Sequence, residues 1–180
     1  MIRPEFRKIL LDQRGAAVIL WSAFFISVPI YIVIARHLLS NPRLGTNLSL
    51  AGPARLVLWL LTFVDLGYYV YWRKRNFSTD AIVHSARETK LLRALEDFKG
   101  AVEERAAYVV STYVTRKVVL FAIIEAIAVY GLVLALVGRF VHDFYLLSAV
   151  SLLLLSFEFP SAQSIDAVVR AAEEGDTVRQ

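Results

Sequence analysis

The stretch VVLFAIIEAIAVYGLVLALVG, residues 118–138, is 21 residues of almost uninterrupted apolar sequence. A helix of about 20 apolar residues is long enough to cross the hydrocarbon core of a membrane, which is about 30 Å thick. Glu125 is the one acidic residue in this run. Because a carboxylate is costly in hydrocarbon, an acid at this depth is a functional candidate by default.

Three further apolar runs accompany this stretch in a chain that is 57% hydrophobic. Together the four runs predict transmembrane helices at about 16–37, 54–72, 118–138 and 142–159. The sequence therefore predicts an all-α integral membrane four-helix bundle, with residues 1–180 forming a single membrane domain. The second and fourth runs are slightly short for a span, so they need interfacial aromatic residues such as Trp59 and Tyr145 at their ends.

Between the second and third spans, the apolar pattern changes to helical periodicity. This pattern predicts an amphipathic cytoplasmic insertion over residues 76–116, as one helix or as two helices separated near Gly100. The residues of the apolar stripe are Leu91, Leu95, Phe98, Val102, Val109 and Tyr113. The stripe could dock a partner protein or another copy of the chain, fold back on the bundle, or lie on the membrane surface. A shorter amphipathic tail helix is predicted over 161–175, with Ser161 as its N-cap.

The distribution of basic residues predicts the orientation. Of the 20 Lys and Arg residues, four precede the first span, ten lie between the second and third spans, and two lie in the tail, against three and one in the other two connections. The positive-inside rule therefore places both termini and the central insertion in the cytoplasm. Arg73, Lys74 and Arg75 directly follow the second span, where they either bind lipid headgroups or only anchor the topology.

Two acids are predicted to lie at one depth. Asp65 is eight residues from Arg73, and Glu125 is eight residues from Lys117, so in antiparallel helices both carboxyl groups are about 12 Å inside the cytoplasmic surface and can meet. The same offset adds Ser22 and Ser151 to this polar layer. Tyr68 and Tyr69 follow Asp65 by three and four residues and could donate hydrogen bonds to it.

Two carboxylates close together in a low dielectric cannot both stay ionised, so at least one of the two acids is expected to be protonated near neutral pH. Three interpretations of the layer remain open. The acids could be neutral groups that hold neighbouring helices together, they could handle protons or ions, or they could bind a substrate.

The segment Ala122–Leu136, AIIEAIAVYGLVLAL, resembles the carboxylate-bearing helix of the proteolipid (rotor-ring) subunits of rotary ATPases. The resemblance implies that Glu125 binds a transported proton or sodium ion. More loosely, Glu125–Gly131, Asp143–Tyr145 and Phe159–Pro160 make the whole chain similar to small uncharacterised bacterial four-span membrane proteins. This second resemblance implies a location in the bacterial inner membrane.

Several function classes lack support in the sequence. The chain has no cysteine, which excludes disulfides, thiolate metal sites and cysteine catalysis. No phosphate-binding glycine loop, zincin motif or nucleophile elbow is present, so no catalytic residue, metal or cofactor is predicted. We expect a non-enzymatic membrane subunit with a protonatable carboxyl pair; the alternatives are an ion carrier and a scaffold that docks a partner through its cytoplasmic helix. The expected partners are the lipid bilayer and either further copies of the chain or a larger membrane complex, but not nucleic acid.

Overall fold

The computed structural model describes residues 4–40, 48–77 and 101–177. These residues form five α-helices and contain no strand, which confirms the prediction of an all-helical protein. The helices are α1 (Pro4–Leu39), α2 (Leu48–Asn76), α3 (Ala101–Gly138), α4 (Val141–Phe157) and α5 (Ala162–Thr177).

Three of the helices are long and apolar enough to cross a membrane. Their candidate spans are Arg14–Leu39, Leu50–Asn76 and Ala106–Gly138. Helix α4 is also apolar, but its 17 residues extend only about 25 Å. The structure therefore supports a helical membrane protein with three candidate spans among the described residues and a shorter fourth apolar helix.

The third predicted span and the end of the predicted insertion form one helix. Helix α3 continues from Ala101 to Gly138 without a break near residue 117, and its sequence contains no proline. The remainder of the predicted amphipathic stripe, including Leu91, Leu95 and Phe98, lies outside the described residues. The predicted N-cap of the tail helix is confirmed, because the backbone N–H of Ser164 donates to Ser161 Oγ at 3.3 Å.

The chain divides into two compact units. The first, called the flanking unit, contains Met1–Leu20, Trp72–Val119 and Pro160–Gln180, and the second, called the apolar unit, contains Trp21–Tyr71 and Leu120–Phe159. Helices α1, α2 and α3 each contribute residues to both units.

In the apolar unit, helices α3 and α4 form a tight antiparallel hairpin. Gly138 ends α3, as the sequence predicted, and only Arg139 and Phe140 connect the two helices. Arg139 adopts the left-handed conformation with φ of 55°, which allows the chain to reverse. A Cβ atom at Gly131 would lie 3.2 Å from both Cα and O of Phe144, so glycine allows the backbones to approach closely.

Two groups of buried side chains show how the helices of the apolar unit pack. One is built on Ile127, Leu134 and Leu147, and partly buried residues of α2, including Leu58 and Leu66, pack against it. The other contains Ala35 of α1, Ala135 of α3 and Phe144 of α4. Helix α3 contributes to both groups, so α1, α2 and α4 all pack against α3.

In the flanking unit, the N-terminal part of α3 packs against the tail helix α5. Val109 and Tyr113 of the predicted stripe share a buried cluster with Ile165 and Val169 of α5. This part of the stripe therefore packs against the tail helix, a contact that the sequence did not predict. Nearby, Arg14 Nε of α1 donates to the carbonyl oxygen of Pro160 at 3.3 Å.

Candidate functional site

Three acidic residues of the apolar unit each accept a hydrogen bond from a tyrosine on another helix. The hydroxyl of Tyr31 donates to Glu125 Oε1 at 2.6 Å, which links α1 to α3. The hydroxyl of Tyr130 donates to Asp65 Oδ2 at 2.9 Å, which links α3 to α2. The third acid is Glu158 at the end of α4, and its donor is on α2. We call these contacts the tyrosine–carboxyl pairs.

The pair of Tyr31 and Glu125 lies where α1 runs parallel to α3. Phe24 and Phe121 pack one to two turns before it, with ring centroids 6.1 Å apart. Ser27, one turn before Tyr31, donates to the carbonyl oxygen of Phe24 at 2.7 Å, so this hydrogen bond lies within α1. Glu125 is half-buried, and the hydroxyl of Tyr31 is its hydrogen-bond donor.

The pair of Tyr130 and Asp65 lies where α2 runs antiparallel to α3. Tyr130 and Leu66 both pack against the buried group of Ile127, Leu134 and Leu147. Thr62, one turn before Asp65, is buried and donates to the carbonyl oxygen of Leu58 at 2.8 Å. Asp65 therefore accepts its side-chain hydrogen bond from the hydroxyl of Tyr130, because the hydroxyl of Thr62 donates to a backbone carbonyl group of its own helix.

The third pair is the most deeply buried. Tyr69 of α2 is 5% exposed, Glu158 is 3% exposed, and the tyrosine hydroxyl donates to Glu158 Oε1 at 2.9 Å. Glu158 also closes α4, because its backbone N–H donates to the carbonyl oxygens of Leu154 and Leu155. A polar side chain this deeply buried needs its hydrogen bonds, so Tyr69 contributes directly to the stability of this helix end.

Two further contacts hold α4 to its neighbours. Ser151, predicted to belong to the polar layer, is fully buried and donates to the carbonyl oxygen of Ile124 at 3.0 Å, not to an acid. Trp21 of α1 donates through Nε1 to the carbonyl oxygen of Leu155 at 2.8 Å. Backbone carbonyl groups therefore take part in the contacts between helices, as do the carboxyl groups.

The outer end of α4, in the predicted orientation, is held by an ion pair. Arg55 of α2 binds both carboxyl oxygens of Asp143, through Nε at 2.6 Å and Nη2 at 3.1 Å. The guanidinium also lies 4.8 Å from the centre of the Phe140 ring. Arg55 is exposed and Asp143 is largely covered, so this bidentate contact fixes α2 to the start of α4.

Asp65 and Glu125, which the sequence predicted to meet, have other hydrogen-bond partners than each other. Each of the two acids is bonded to a tyrosine instead, and the partner of Asp65 is Tyr130, five residues beyond Glu125 on α3. The two carboxyl groups therefore do not bond to each other in the structure, and each is bonded to a tyrosine of another helix.

The predicted partners of Asp65 also need correction. Tyr69 donates to Glu158, and Tyr68 is 42% exposed and packs beside Tyr71 with ring centroids 6.3 Å apart. A tyrosine hydroxyl stands well beyond its own backbone, so it suits an acceptor on a helix about 8–10 Å away better than one on its own helix. Ser22 is half-buried on α1, and Tyr31 of the same helix, not Ser22, donates to Glu125.

Sequence reasoning missed Tyr31, Tyr130 and Glu158 as members of the site. A signal was present, because tyrosines lie close in sequence to the two predicted acids. Tyr69 is four residues after Asp65, and Tyr130 is five residues after Glu125. The spacing indicates the helices on which donors and acceptors occur. It does not indicate which donor faces which acceptor, because that depends on the rotation of each helix.

The remaining predicted site residues lie at the end of α2. Arg73, Lys74 and Arg75 form its last turn and are exposed. Among the described residues, no group of three His, Asp or Glu side chains could hold a metal ion. The site thus consists of three carboxyl groups that accept hydrogen bonds and of the basic last turn of α2.

These features define the class of the protein: it is an all-helical protein with three helices able to cross a membrane, joined by tyrosine–carboxyl pairs. Comparison with models of protein families, with curated proteins and with solved structures finds no match for the chain.

Proposed function

We propose that the chain is a non-enzymatic, multi-pass membrane subunit whose intramembrane acids hold its helices together. The observation that carries the proposal is that Glu125, Asp65 and Glu158 each accept a hydrogen bond from a tyrosine of a different helix. Between helices in a membrane such a bond contributes about 0.6 to 2 kcal/mol, and it spares a carboxyl group the cost of lying unbonded in hydrocarbon.

In this proposal α4 is a fourth span. Helix α2 contacts α4 at two places, through Arg55 with Asp143 and through Tyr69 with Glu158, and these pairs are separated by 88 and 89 residues along the chain. The nearly constant separation means that the two helices run parallel and in register. Between these contacts α2 advances fourteen residues, or about 21 Å, and α4 accompanies it over that depth.

The proposed location is the bacterial inner membrane, with both termini and the basic end of α2 in the cytoplasm. The distribution of Lys and Arg supports this orientation. The exposed faces of α1 and α2 support lipid contact, because they carry large apolar side chains such as Ile26, Val33, Leu60 and Phe63. The same faces are available to further copies of the chain or to other membrane subunits.

The four-span topology predicts a labelling pattern for single cysteines in this cysteine-free chain. Lys74, Arg139 and Ala167 are exposed positions after the second, third and fourth proposed spans. In intact cells an impermeant maleimide should label R139C and leave K74C and A167C unlabelled, whereas all three should react after lysis. Labelling of A167C in intact cells would show that α4 does not cross, and labelling of K74C would reverse the orientation.

A second candidate function is that of a proton or sodium ion carrier. It is favoured by the position of Glu125, which is half-buried at membrane depth with Oε1 bound to Tyr31. It also agrees with the resemblance of Ala122–Leu136 to the proteolipid helix. In such a carrier Glu125 exchanges its proton or ion with the surroundings during transport.

The carrier function predicts that dicyclohexylcarbodiimide modifies Glu125 in the membrane. The reagent attacks a protonated carboxyl group in an apolar site, so labelling should fall as the pH rises and should disappear in Glu125→Gln. Labelled peptides identified by mass spectrometry would distinguish Glu125 from Asp65. Absence of labelling at acidic pH would contradict the proposal of a carrier function and would leave the proposal of a structural role for Glu125.

A further inference from the structure

The end of the apolar unit at which α3 turns into α4 carries basic side chains on three of its elements. Arg36 lies in the last turn of α1, Arg139 connects α3 to α4, and His142 lies in the first turn of α4. All three side chains are exposed. We call these three residues the basic cluster, which lies on the outer side of the membrane in the proposed orientation.

A small buried group places the basic cluster on one contact between helices. This group joins α1, α3 and α4 through one residue of each, Ala35, Ala135 and Phe144. Arg36 directly follows Ala35 along α1. The backbone N–H of Arg139 donates to the carbonyl oxygen of Ala135 at 3.1 Å, and His142 precedes the third member by two residues. Each residue of the basic cluster is therefore within about one helical turn of the same contact.

The charge of the basic cluster is not balanced by acids at this end of the chain. Residues 36–55 and 138–143 contain one acid, Asp143. Arg55 binds both oxygens of that carboxyl group, so Asp143 is already paired. Within the residues that the structure describes, no acid forms an ion pair with a member of the basic cluster. The guanidinium groups of Arg36 and Arg139 therefore keep donors with which an anion can pair.

Arg139 occupies a backbone position that does not favour arginine. Its φ of 55° is left-handed, a conformation that glycine and asparagine adopt at lower cost. In the same two-residue connection Phe140 packs on the buried group of α3 and α4, whereas Arg139 is exposed. The fold therefore does not require arginine at this position, and backbone strain of this kind is concentrated at functional sites.

We propose that the basic cluster binds the phosphate group of an anionic molecule. Guanidinium groups donate two parallel hydrogen bonds to phosphate oxygens, so Arg36 and Arg139 together offer two such forks. The imidazole of His142 adds an N–H donor. All three residues belong to the apolar unit, so the site is complete within one unit.

The phosphate group can belong to an anionic phospholipid or to free inorganic phosphate, since the same side chains bind both. Helix α4 favours the lipid, because the exposed Tyr145 and Leu146 follow His142 within about one turn. Tyrosine prefers the membrane interface, and the lipid phosphates lie directly outside it. The preference for a lipid rests on the proposed membrane insertion, whereas the phosphate site itself does not.

The test variant is R36Q/R139G, which removes both guanidinium groups. Glycine adopts the left-handed conformation without strain, so the connection between α3 and α4 should be preserved. In detergent without phosphate the variant should therefore unfold at a temperature close to that of the native chain. R36Q/R139N is a second variant with the same purpose, because asparagine also adopts this conformation.

The first measurement uses the full chain in phosphatidylcholine vesicles that contain a small fraction of phosphatidylglycerol with a photoactivatable headgroup. Mass spectrometry of the crosslinked peptides should find the label in residues 36–40 and 139–145 of the native chain. Each basic residue near an anionic lipid contributes about a fivefold preference, so R36Q/R139G should lower the labelling of these peptides at least about fivefold.

The second measurement distinguishes the two sources of phosphate. The unfolding temperature of the native chain in detergent is followed as inorganic phosphate replaces chloride at constant ionic strength. If the site takes free phosphate, the temperature should rise and the rise should be lost in R36Q/R139G, because a ligand that binds the folded state stabilises it. If the site takes a lipid, phosphate should have no effect beyond that of chloride and should not reduce the crosslinking.

The matched control is K74Q/R170Q, which removes two positive charges from exposed residues of the flanking unit. It should retain the labelling of residues 36–40 and 139–145 and any response to phosphate. Equal losses in the control and in R36Q/R139G would overturn the site, since only net charge would then matter. Absence of both the crosslinks and the phosphate response in the native chain would also overturn it.

A separate measurement distinguishes failure of this proposal from failure of the proposed function. Extraction of membranes with alkaline carbonate should leave the native chain and R36Q/R139G in the pellet. Release of the native chain would contradict membrane insertion, whereas the response to inorganic phosphate in detergent does not depend on insertion. Retention of both chains with neither crosslinks nor a phosphate response would contradict only the phosphate site.

Discussion

Replacing Gly131 with leucine is expected to destabilise the protein by about 3 kcal/mol, because α3 and α4 have no room between them at this position. A Cβ atom alone would lie 3.2 Å from Phe144 Cα, Phe144 O and Leu147 Cβ. Two of these atoms belong to the backbone, so rotation of a side chain cannot relieve the contact. Alanine requires a shift of a few tenths of an ångström, whereas leucine requires the helices to separate.

Thermal unfolding in detergent, followed by loss of helical circular dichroism, measures the effect. The matched control is Gly67→Leu, because Gly67 is an exposed glycine of α2 and a Cβ atom added there would meet no heavy atom within 4 Å. Leucine has a higher helix propensity than glycine, so this control should leave the unfolding temperature unchanged or raise it. A similar loss of stability in both variants would mean that α3 and α4 do not approach closely.

Removal of the Tyr69 hydroxyl is expected to cost about 1 to 3 kcal/mol, because Glu158 then loses a hydrogen bond in a site that is almost closed. Tyr69→Phe keeps the ring and its packing and removes only the donor. The control is Tyr145→Phe, since Tyr145 is 47% exposed and lies at the start of α4. The same unfolding measurement should show a clear decrease for Tyr69→Phe and little change for Tyr145→Phe; equal changes would remove the proposed role of the buried pair.

The helices themselves could be predicted from sequence because the signal depends on composition and length alone. Residues 118–138 are apolar around the whole helix, so the prediction of a membrane-spanning helix does not depend on which face meets a neighbour. The cap at Ser161 was also predictable, since it depends on local backbone chemistry. Helix α3 ends at Gly138 as predicted, but the left-handed residue that reverses the chain is Arg139.

The surroundings of Lys117 could not be predicted from its place in the sequence. Counting eight residues from Lys117 to Glu125 treated Lys117 as a surface residue. In the structure Lys117 lies within the continuous helix α3 and is buried against Phe77 and Tyr113. The burial of a lysine depends on which residues pack against it, and a single sequence does not fix those contacts.

The partners of the acids could not be predicted because they depend on contacts between helices. Sequence spacing identified Tyr68 and Tyr69 as neighbours of Asp65 on the same helix. The actual donor to Asp65 is Tyr130, 65 residues away along the chain, and the donor to Glu125 is Tyr31, 94 residues away. Such pairings follow from the rotation and register of packed helices, which a single sequence does not fix.

The most direct test of the tyrosine–carboxyl pairs is a set of three double-mutant cycles measured by unfolding in detergent. The single changes are Tyr31→Phe, Glu125→Met, Asp65→Leu and Tyr130→Phe, each of which removes one polar group and keeps an apolar side chain of similar size. The cycles of Tyr31 with Glu125 and of Asp65 with Tyr130 should each give a coupling of about 0.5 to 3 kcal/mol, the range for residues in direct contact. The cycle of Asp65 with Glu125 should be additive to within about 0.5 kcal/mol. Strong coupling between the two acids, together with additivity for both tyrosine cycles, would contradict the account.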